Sequence, residues 1–136
     1  MAREFKISIV SPDRTVVDEL AVSVIAPGIQ GYLGILAGHE PLITELATGI
    51  ITYRRPDNSD ENVAVSGGCL EVSEGQVIVL ADTAERASDI DIARAEMAAD
   101  RARDRLLGRE PGTNLERANL SLVRAINRVR VVGGRR

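Results

Sequence analysis

Hydrophobic residues recur at every second position through most of the first 82 residues and at helical spacing after residue 84. A period of two is typical of half-buried β-strands. Turn signals interrupt the strand-like runs at short intervals, which favours a β-sandwich over alternating strands and helices. The predicted strands occupy residues 5–9, 16–17, 21–26, 49–54, 62–66, 69–72 and 77–80, and the last is predicted to be the most central.

Glycine and proline interrupt the β-region at two places. Residues 28–44 contain four glycines and Pro41, so they are predicted to form irregular, exposed connections. Gly67 and Gly68 separate two strand-like runs and predict a bulge or a sharp bend there. The chain has no Asn-Gly or Asp-Gly turn, so the sequence leaves the strand pairing open.

The first predicted helix follows residue 84. Ser88 or Asp89 can cap it, which places Asp91 in the first turn, where a negative charge suits the helix dipole. The helix is predicted to run to residue 107 and to stop at Gly108.

A second predicted helix spans residue 115 to about residue 132, with Thr113 or Asn114 as its cap. The short link between the helices indicates an antiparallel hairpin. Its predicted interface is rich in alanine, which buries little area, so we expect the hairpin to be able to undock. The predicted contact residues are Ala95, Ala98, Ala99, Ala102, Leu106, Leu115, Ala118, Leu122, Ala125 and Val129.

These patterns divide the chain into an all-β sandwich domain at residues 1–86 and an α-helical hairpin domain at residues 87–136. The charge divides at nearly the same place. Residues 1–85 carry 13 acidic and 5 basic side chains, whereas the remainder carries 7 acidic and 12 basic ones. Such polarity indicates two modules that attract each other, or a second module that binds an anionic partner.

Composition argues against several classes of function. One Cys and one His cannot build a disulfide or a standard structural zinc site, and no convincing pair of nucleophile and base supports an enzyme. Three aromatic residues and a pI near 5.2 argue against a nucleic-acid-binding module. No apolar run is long enough to span a bilayer, and the first residues lack the apolar stretch of a signal peptide.

Arginines form a stripe on each predicted helix. They stand at x, x+7 and x+11, which aligns them at about 100° per residue. Local pairing with Asp91 and Asp104 could explain the first stripe, but the second helix has only Glu116 as an acidic residue. A solvated charged face and a site for an anionic ligand both remain open at this point. The stripes are Arg94, Arg101 and Arg105, then Arg117, Arg124 and Arg128.

In a folded hairpin the two stripes could converge on one polyanion, such as a nucleotide phosphate. The chain has no Walker-type glycine loop and no acidic cluster for a catalytic magnesium ion. The pattern therefore favours binding without hydrolysis.

Four segments closely resemble the epsilon subunit of bacterial F-type ATP synthases, in the right order and over nearly the full length. They are GYLGILAGHEPLIT at 31–44, SGGCLEV at 66–72, VIVLADTAERASDIDIARA at 77–95 and RAINRV at 124–129. The resemblance implies a β-sandwich that attaches to the gamma subunit and the c-ring. It also implies two helices that lie folded on the sandwich or extend toward the alpha and beta subunits and obstruct ATP hydrolysis.

The resemblance further implies that ATP, with or without Mg, binds the folded hairpin as a regulatory ligand rather than as a required cofactor. The ATP-binding positions it selects are Glu85, Ile90, Asp91, Arg94, Ala95, Arg101, Arg124 and Arg128. Four of these are also stripe arginines. No catalytic residue and no metal ligand is implied.

The loop motif implies a rotor interface. Its members are Gly31, Tyr32, Gly34, Gly38, His39 and Pro41. Tyr32 departs from the family pattern, which often has a polar or acidic residue there. His39 by itself would be an exposed loop residue that hydrogen-bonds its neighbours. The resemblance thus implies a non-catalytic central-stalk subunit of a proton-translocating ATP synthase, peripheral on the cytoplasmic face of the bacterial plasma membrane.

Overall fold

A computed structural model describes residues 3–107 and 114–132 of the protein. Eight strands are followed by a short 3₁₀-helix and two α-helices, which confirms the predicted sandwich and hairpin. The strands are β1 (Phe5–Ser11), β2 (Arg14–Ala21), β3 (Ser23–Gly28), β4 (Gly31–Leu36), β5 (Leu42–Arg54), β6 (Asp60–Ser73), β7 (Gln76–Ala81) and β8 (Ala84–Arg86). The 3₁₀-helix is Ala87–Asp89, and the α-helices are α1 (Ile92–Leu106) and α2 (Leu115–Val132).

The long strands β5 and β6 belong to both layers of the sandwich. The strand order is β2-β1-β7-β6-β5-β3-β4, and β8 pairs with β6 beyond the end of β7. The β1–β7 pair is parallel, and the other pairs are antiparallel. Alternate side chains of every strand meet in one apolar core, with Ile7, Ile51 and Val79 fully buried.

Two consecutive glycines allow β6 to change partners. Gly67 and Gly68 have φ values of 77° and 116°, which side chains on other residues rarely permit. The residues before them pair with β8 and those after them pair with β7 in the same register, so the feature is a bend without a bulge. A Cβ at Gly68 would lie 2.1 Å from the Leu80 carbonyl oxygen. The bend therefore requires glycine at this position.

The prediction of irregular structure at residues 28–44 was wrong for most of that segment. β4 and the start of β5 lie there, and β3 and β4 form a hairpin in which Gly28 pairs with Gly31. The backbone at Gly31 has a φ of 128°, which a tight turn tolerates at glycine. The glycines that suggested a loop instead permit the close strand pairing.

Most other strand predictions were correct in place and too short in extent, but the strand predicted at 21–26 lies two residues later, as β3, and β8 was not predicted. Residues 62–66 and 69–72, predicted as two strands, belong to the single bent β6. β7, predicted to be the most central strand, lies between β1 and β6, while β6 occupies the middle of the strand order. The hydrophobic run of β7 reflects its burial between two neighbours rather than a central place in the sheet.

The helices pack as an antiparallel pair through small residues. Ala95, Ala99 and Ala102 of α1 and Ala118 and Ala125 of α2 are buried. Leu115, one of the predicted contact residues, is 57% exposed at the start of α2. The predicted stop at Gly108 and the Thr113 cap lie outside the described residues. The Asn114 side chain accepts a hydrogen bond from the Arg117 amide at 3.0 Å, so Asn114 caps α2.

A charged network fixes the end of the sandwich from which the helices start. The Arg55 guanidinium donates to Glu19 at 3.0 Å and holds the pKa of this carboxyl below its usual range. Tyr53 donates its hydroxyl proton to Glu19, and burial raises the pKa of Tyr53 to about 12. Arg86, the last residue of β8, donates to the Val16 carbonyl at 3.0 Å. The network thereby anchors the strand that leads into the hairpin.

We predict that Gly68→Ala destabilises the protein by at least about 2 kcal/mol, because the methyl group would collide with the β7 backbone and the φ value would be strained. Urea denaturation followed by circular dichroism measures the change. Gly34→Ala is the matched control, because a Cβ there meets no atom within 4 Å. Equal stability of the two variants would contradict the proposed role of the bend.

Candidate functional site

The candidate site lies where the hairpin docks on the outer face of β5 and β6. Ile50 of β5 and Ala64 of β6 form a small apolar cluster with Ile90, Ala95 and Val131. This cluster is separate from the core of the sandwich. The structure therefore contains the folded arrangement of the hairpin, in which α2 rests on the sandwich, and α1 packs against α2 and contributes Ala95 to the cluster.

An ion pair crosses the same junction. Arg128 of α2 donates from Nη2 to Glu85 Oε2 at 3.0 Å, and its Nε lies 2.8 Å from Oε1. The Nε contact is a charge contact without hydrogen-bond geometry, because the buried Nε has no hydrogen-bond partner. Both side chains are about one-third exposed, at 33% and 32%. The pair links β8 directly to α2.

The implied ATP motif begins at the start of α1. The Asp91 carboxylate accepts a hydrogen bond from the Arg94 amide at 3.2 Å, which makes Asp91 the cap of α1. The predicted caps were therefore displaced, because Ser88 and Asp89 belong to the preceding 3₁₀-helix. Ile90 and Ala95 are buried against the sandwich in the apolar cluster described above.

Three of the candidate arginines are free of ion pairs within the described residues. The guanidinium groups of Arg94, Arg101 and Arg124 are exposed and form no ion pair there. The local pairing considered for Arg94 is absent, because Asp91 contacts its backbone amide instead of its side chain. Guanidinium groups without an ion-pair partner remain available to bind an anionic ligand.

The structure brings together Glu85, Arg124 and Arg128 around one small pocket of about 20 Å³. A pocket of that volume is too small to hold a nucleotide. Arg124 also lines a wider surface pocket of about 390 Å³ together with Arg117 and Ser121. Arg94 and Arg101 of α1 line neither pocket. A bound polyanion would therefore occupy the surface around Arg124 or require the Glu85–Arg128 pair to open.

The candidate rotor residues lie on β4 and the turn that follows it. All six are exposed, namely Gly31, Tyr32, Gly34, Gly38, His39 and Pro41. The last three line a surface cleft of about 520 Å³ at the end of the sandwich. His39 Nδ1 lies 2.7 Å from the Glu40 carbonyl oxygen, a hydrogen bond to its neighbour in the turn.

Asn127 is not among the residues predicted from the sequence, yet it donates from Nδ2 to the Gly49 carbonyl at 2.7 Å. The Tyr32 hydroxyl also has an inward contact that was not predicted, since it accepts a hydrogen bond from the Ile50 amide at 3.2 Å. Asn127 lies within the quoted segment 124–129, but nothing in that pattern indicates its partner. Contacts of this kind depend on how α2 lies over β5.

Two general features of the described residues bear on the chemistry. Among residues 3–107 and 114–132, no group of three His, Cys, Asp or Glu side chains could hold a metal ion. Within the same part of the chain, no helix is sufficiently long and apolar to cross a membrane.

Family models and relatives match nearly the whole chain. A model described as the β-sandwich domain of the ATP synthase delta/epsilon chain matches residues 4–87, and the long α-helix domain of the same chain matches residues 88–133. The ATP synthase epsilon chain of Moorella thermoacetica is 51% identical over 127 residues, which cover 93% of this chain and 95% of the relative. The epsilon chain of Carboxydothermus hydrogenoformans is 47% identical over 111 residues, or 82% of each chain.

Solved structures share the fold. A chain of the Euglena gracilis mitochondrial ATP synthase, solved as OSCP, F1 and c-ring in rotational state 1, superposes with a TM-score of 0.76 at 21% identity. The superposition covers 88% of this chain and 76% of that chain. A chain of the Tetrahymena thermophila mitochondrial ATP synthase central stalk and c-ring superposes with a TM-score of 0.53 at 13% identity, covering 95% and 93%.

We predict that Glu85→Gln weakens docking of α2 by about 0.5–1 kcal/mol, because the substitution removes the charge that faces Arg128. Hydrogen exchange of the α2 amides in the isolated protein measures the docked population. Asp100→Asn is the matched control, since Asp100 forms its ion pair among the described residues with Arg103 of the same helix, at 3.2 Å. Equal exchange in both variants would show that the ion pair contributes nothing to docking.

Proposed function

This chain belongs to the delta/epsilon chain family of ATP synthases, and we propose that it is the non-catalytic epsilon subunit of the central stalk, with the helical hairpin as a regulatory element. In this proposal the sandwich attaches to the gamma subunit and the c-ring. The docked hairpin is the permissive state, and the extended hairpin reaches the alpha and beta subunits and inhibits ATP hydrolysis.

The limited junction between hairpin and sandwich carries this proposal. The described contacts between them are a small apolar cluster around Ile50, the Glu85–Arg128 ion pair and the Asn127–Gly49 hydrogen bond. Ion pairs with partial exposure and single hydrogen bonds each contribute on the order of 1 kcal/mol. A junction of this strength suits reversible release better than permanent attachment.

ATP is the proposed ligand of the docked hairpin, with or without Mg. The unpaired guanidinium groups of Arg94, Arg101 and Arg124 support an anionic ligand, since each charge-assisted hydrogen bond to a phosphate contributes about 1.5–3 kcal/mol. Glu85, Asp91 and Arg128 are polar groups of the same proposed site, while Ile90 and Ala95 support it from beneath. Binding requires local opening or a surface position, because the pocket beside Arg128 is too small.

A ligand that binds only the docked state stabilises that state by mass action. The gain is about 2.7 kcal/mol when the free ligand is a hundredfold above its Kd. This gain is comparable to two or three of the junction contacts together. ATP would therefore shift the hairpin toward docking, and its loss would release the inhibitory helices.

The exposed residues of β4 and the next turn support the proposed attachment to the rotor. Their glycines leave the backbone open to a close approach by a partner chain, and three of the six line the cleft at the end of the sandwich. As part of the complex, the subunit would be peripheral on the cytoplasmic face of the bacterial plasma membrane.

We predict that Arg94→Ala or Arg124→Ala weakens ATP binding by about tenfold to a hundredfold, which is the loss expected from one charge-assisted hydrogen bond. Isothermal titration calorimetry of the full chain, with and without Mg, measures the affinity. Arg103→Ala is the matched control, because this α1 arginine pairs with Asp100 and lies outside the proposed site. Unchanged affinity in both test variants, or an equal loss in the control, would refute the site.

We predict that removing residues 87–136 accelerates ATP hydrolysis by the assembled complex severalfold, because the truncated chain has no helices to extend. A coupled ATPase assay measures the rate, and co-purification with gamma checks that the sandwich still attaches. A complex of unchanged rate that retains the truncated chain would leave the subunit with a structural role alone.

A further inference from the structure

One buried peptide group lies between the candidate rotor strand and the docked helix. It joins Gly49 to Ile50 in β5. Its carbonyl oxygen accepts a hydrogen bond from Asn127 of α2 at 2.7 Å. Its N–H donates to the Tyr32 hydroxyl of β4 at 3.2 Å. Two side chains from opposite sides of the junction therefore bind the same amide.

The sheet creates the need for this arrangement. β3 and β5 pair at Ile25 with Thr52 and again at Gly28 with Leu46, so five β5 residues face two β3 residues between these pairs. This irregularity removes the regular β3 partners of the intervening β5 backbone. One of the two β3 residues is Pro27, which has no N–H to offer.

Ile50 cannot use water instead, because only 1% of its surface is exposed. An unsatisfied buried amide is costly, so the Tyr32 hydroxyl has a specific function there. Gly49 leaves space for that hydroxyl, since a Cβ at this position would lie 2.8 Å from Tyr32 Oη and 2.5 Å from the Pro27 Cβ. Because Gly49 has no side chain, the Tyr32 hydroxyl can approach the backbone of β5.

The two hydrogen bonds strengthen each other. Acceptance of a hydrogen bond at the carbonyl polarises the amide and makes its N–H a better donor, and the reverse also holds. The Ile50 side chain is meanwhile packed against the hairpin through Ile90, Ala95 and Val131. A displacement of Tyr32 is therefore transmitted to the segment on which α2 rests.

We infer that Tyr32 is a positioning residue that couples the exposed face of β4 to docking of the helical hairpin, through the Gly49–Ile50 peptide and Asn127. Tyr32 is 48% exposed, so a partner that binds β4 can reach its ring. A partner that holds the hydroxyl on Ile50 favours the docked hairpin, and one that pulls it away favours release. This regulatory meaning rests on the proposed mobility of the hairpin.

A double-mutant cycle in the isolated full chain tests the coupling. Tyr32→Phe removes the acceptor and Asn127→Ala removes the donor, and each is expected to accelerate hydrogen exchange of the α2 amides about fivefold. Because both act through one peptide group, the double variant is expected to show clearly less than the product of the two single effects. Tyr32→Phe is also expected to accelerate exchange of the Ile50 amide.

Two controls separate coupling from general destabilisation. Asn119→Ala changes an exposed asparagine of α2 and is expected to leave α2 exchange unchanged. The Val79 amide reports on the sandwich core and is expected to exchange at the original rate in every variant. Effects that multiply independently, an unchanged Ile50 amide, or equal acceleration at Val79 would overturn the inference.

The experiment contains neither nucleotide nor partner. A failure of ATP binding therefore leaves its result intact, and a failure of the cycle leaves the calorimetric test of the arginines intact.

Discussion

The bend of β6 at Gly67 and Gly68 is the constraint on which the remaining structure depends. Strands β5 and β6 are each long enough to serve both layers, and the positive φ values at Gly67 and Gly68 let β6 exchange β8 for β7 as its neighbour. Through this exchange all eight strands join one hydrogen-bonded sheet, with β2 and β4 at the ends of the strand order. On the part of β6 that pairs with β8, and on the β5 residues beside it, Ile50 and Ala64 form an outward-facing apolar surface. This surface is the platform on which the hairpin docks.

The platform binds the hairpin through a mixture of small effects. Alanine faces on α1 and α2 let the helices approach closely, but they bury little apolar area. The junction with the sandwich adds a few larger apolar side chains, one ion pair and one described hydrogen bond. The core of the sandwich is much more extensive. The junction is therefore weaker than the core of the sandwich, because it buries fewer apolar side chains.

Electrostatics underlies the second proposed role of the same junction, which is ligand binding. Arg128 is neutralised by Glu85, whereas Arg94, Arg101 and Arg124 lie exposed without an ion pair among the described residues. A like-charged helix face is destabilised until an anion or a solvent shell compensates it. This is the physical basis on which a polyphosphate becomes the proposed ligand, and it makes ligand binding and docking of the hairpin mutually dependent.

The sequence by itself determined the two-part architecture, because a change from period two to a helical period is a local property of the chain. It also determined the arginine stripes, since their spacing on a helix follows from the helical repeat alone. The local signal failed in residues 28–44, where glycines that suggest a loop instead allow the β3–β4 hairpin. It also failed at the start of α1, where it predicted Ser88 or Asp89 as the cap and the structure has Asp91.

Only the tertiary structure decided which of the candidate residues meet. The Glu85–Arg128 pair joins positions 43 residues apart, and the Asn127–Gly49 bond joins positions 78 residues apart. Neither spacing has a local signature, because each depends on the strand register and on the place where α2 rests. The inward use of Tyr32 has the same origin, since the Ile50 amide lacks a β3 partner only where β3 and β5 have lost their regular register.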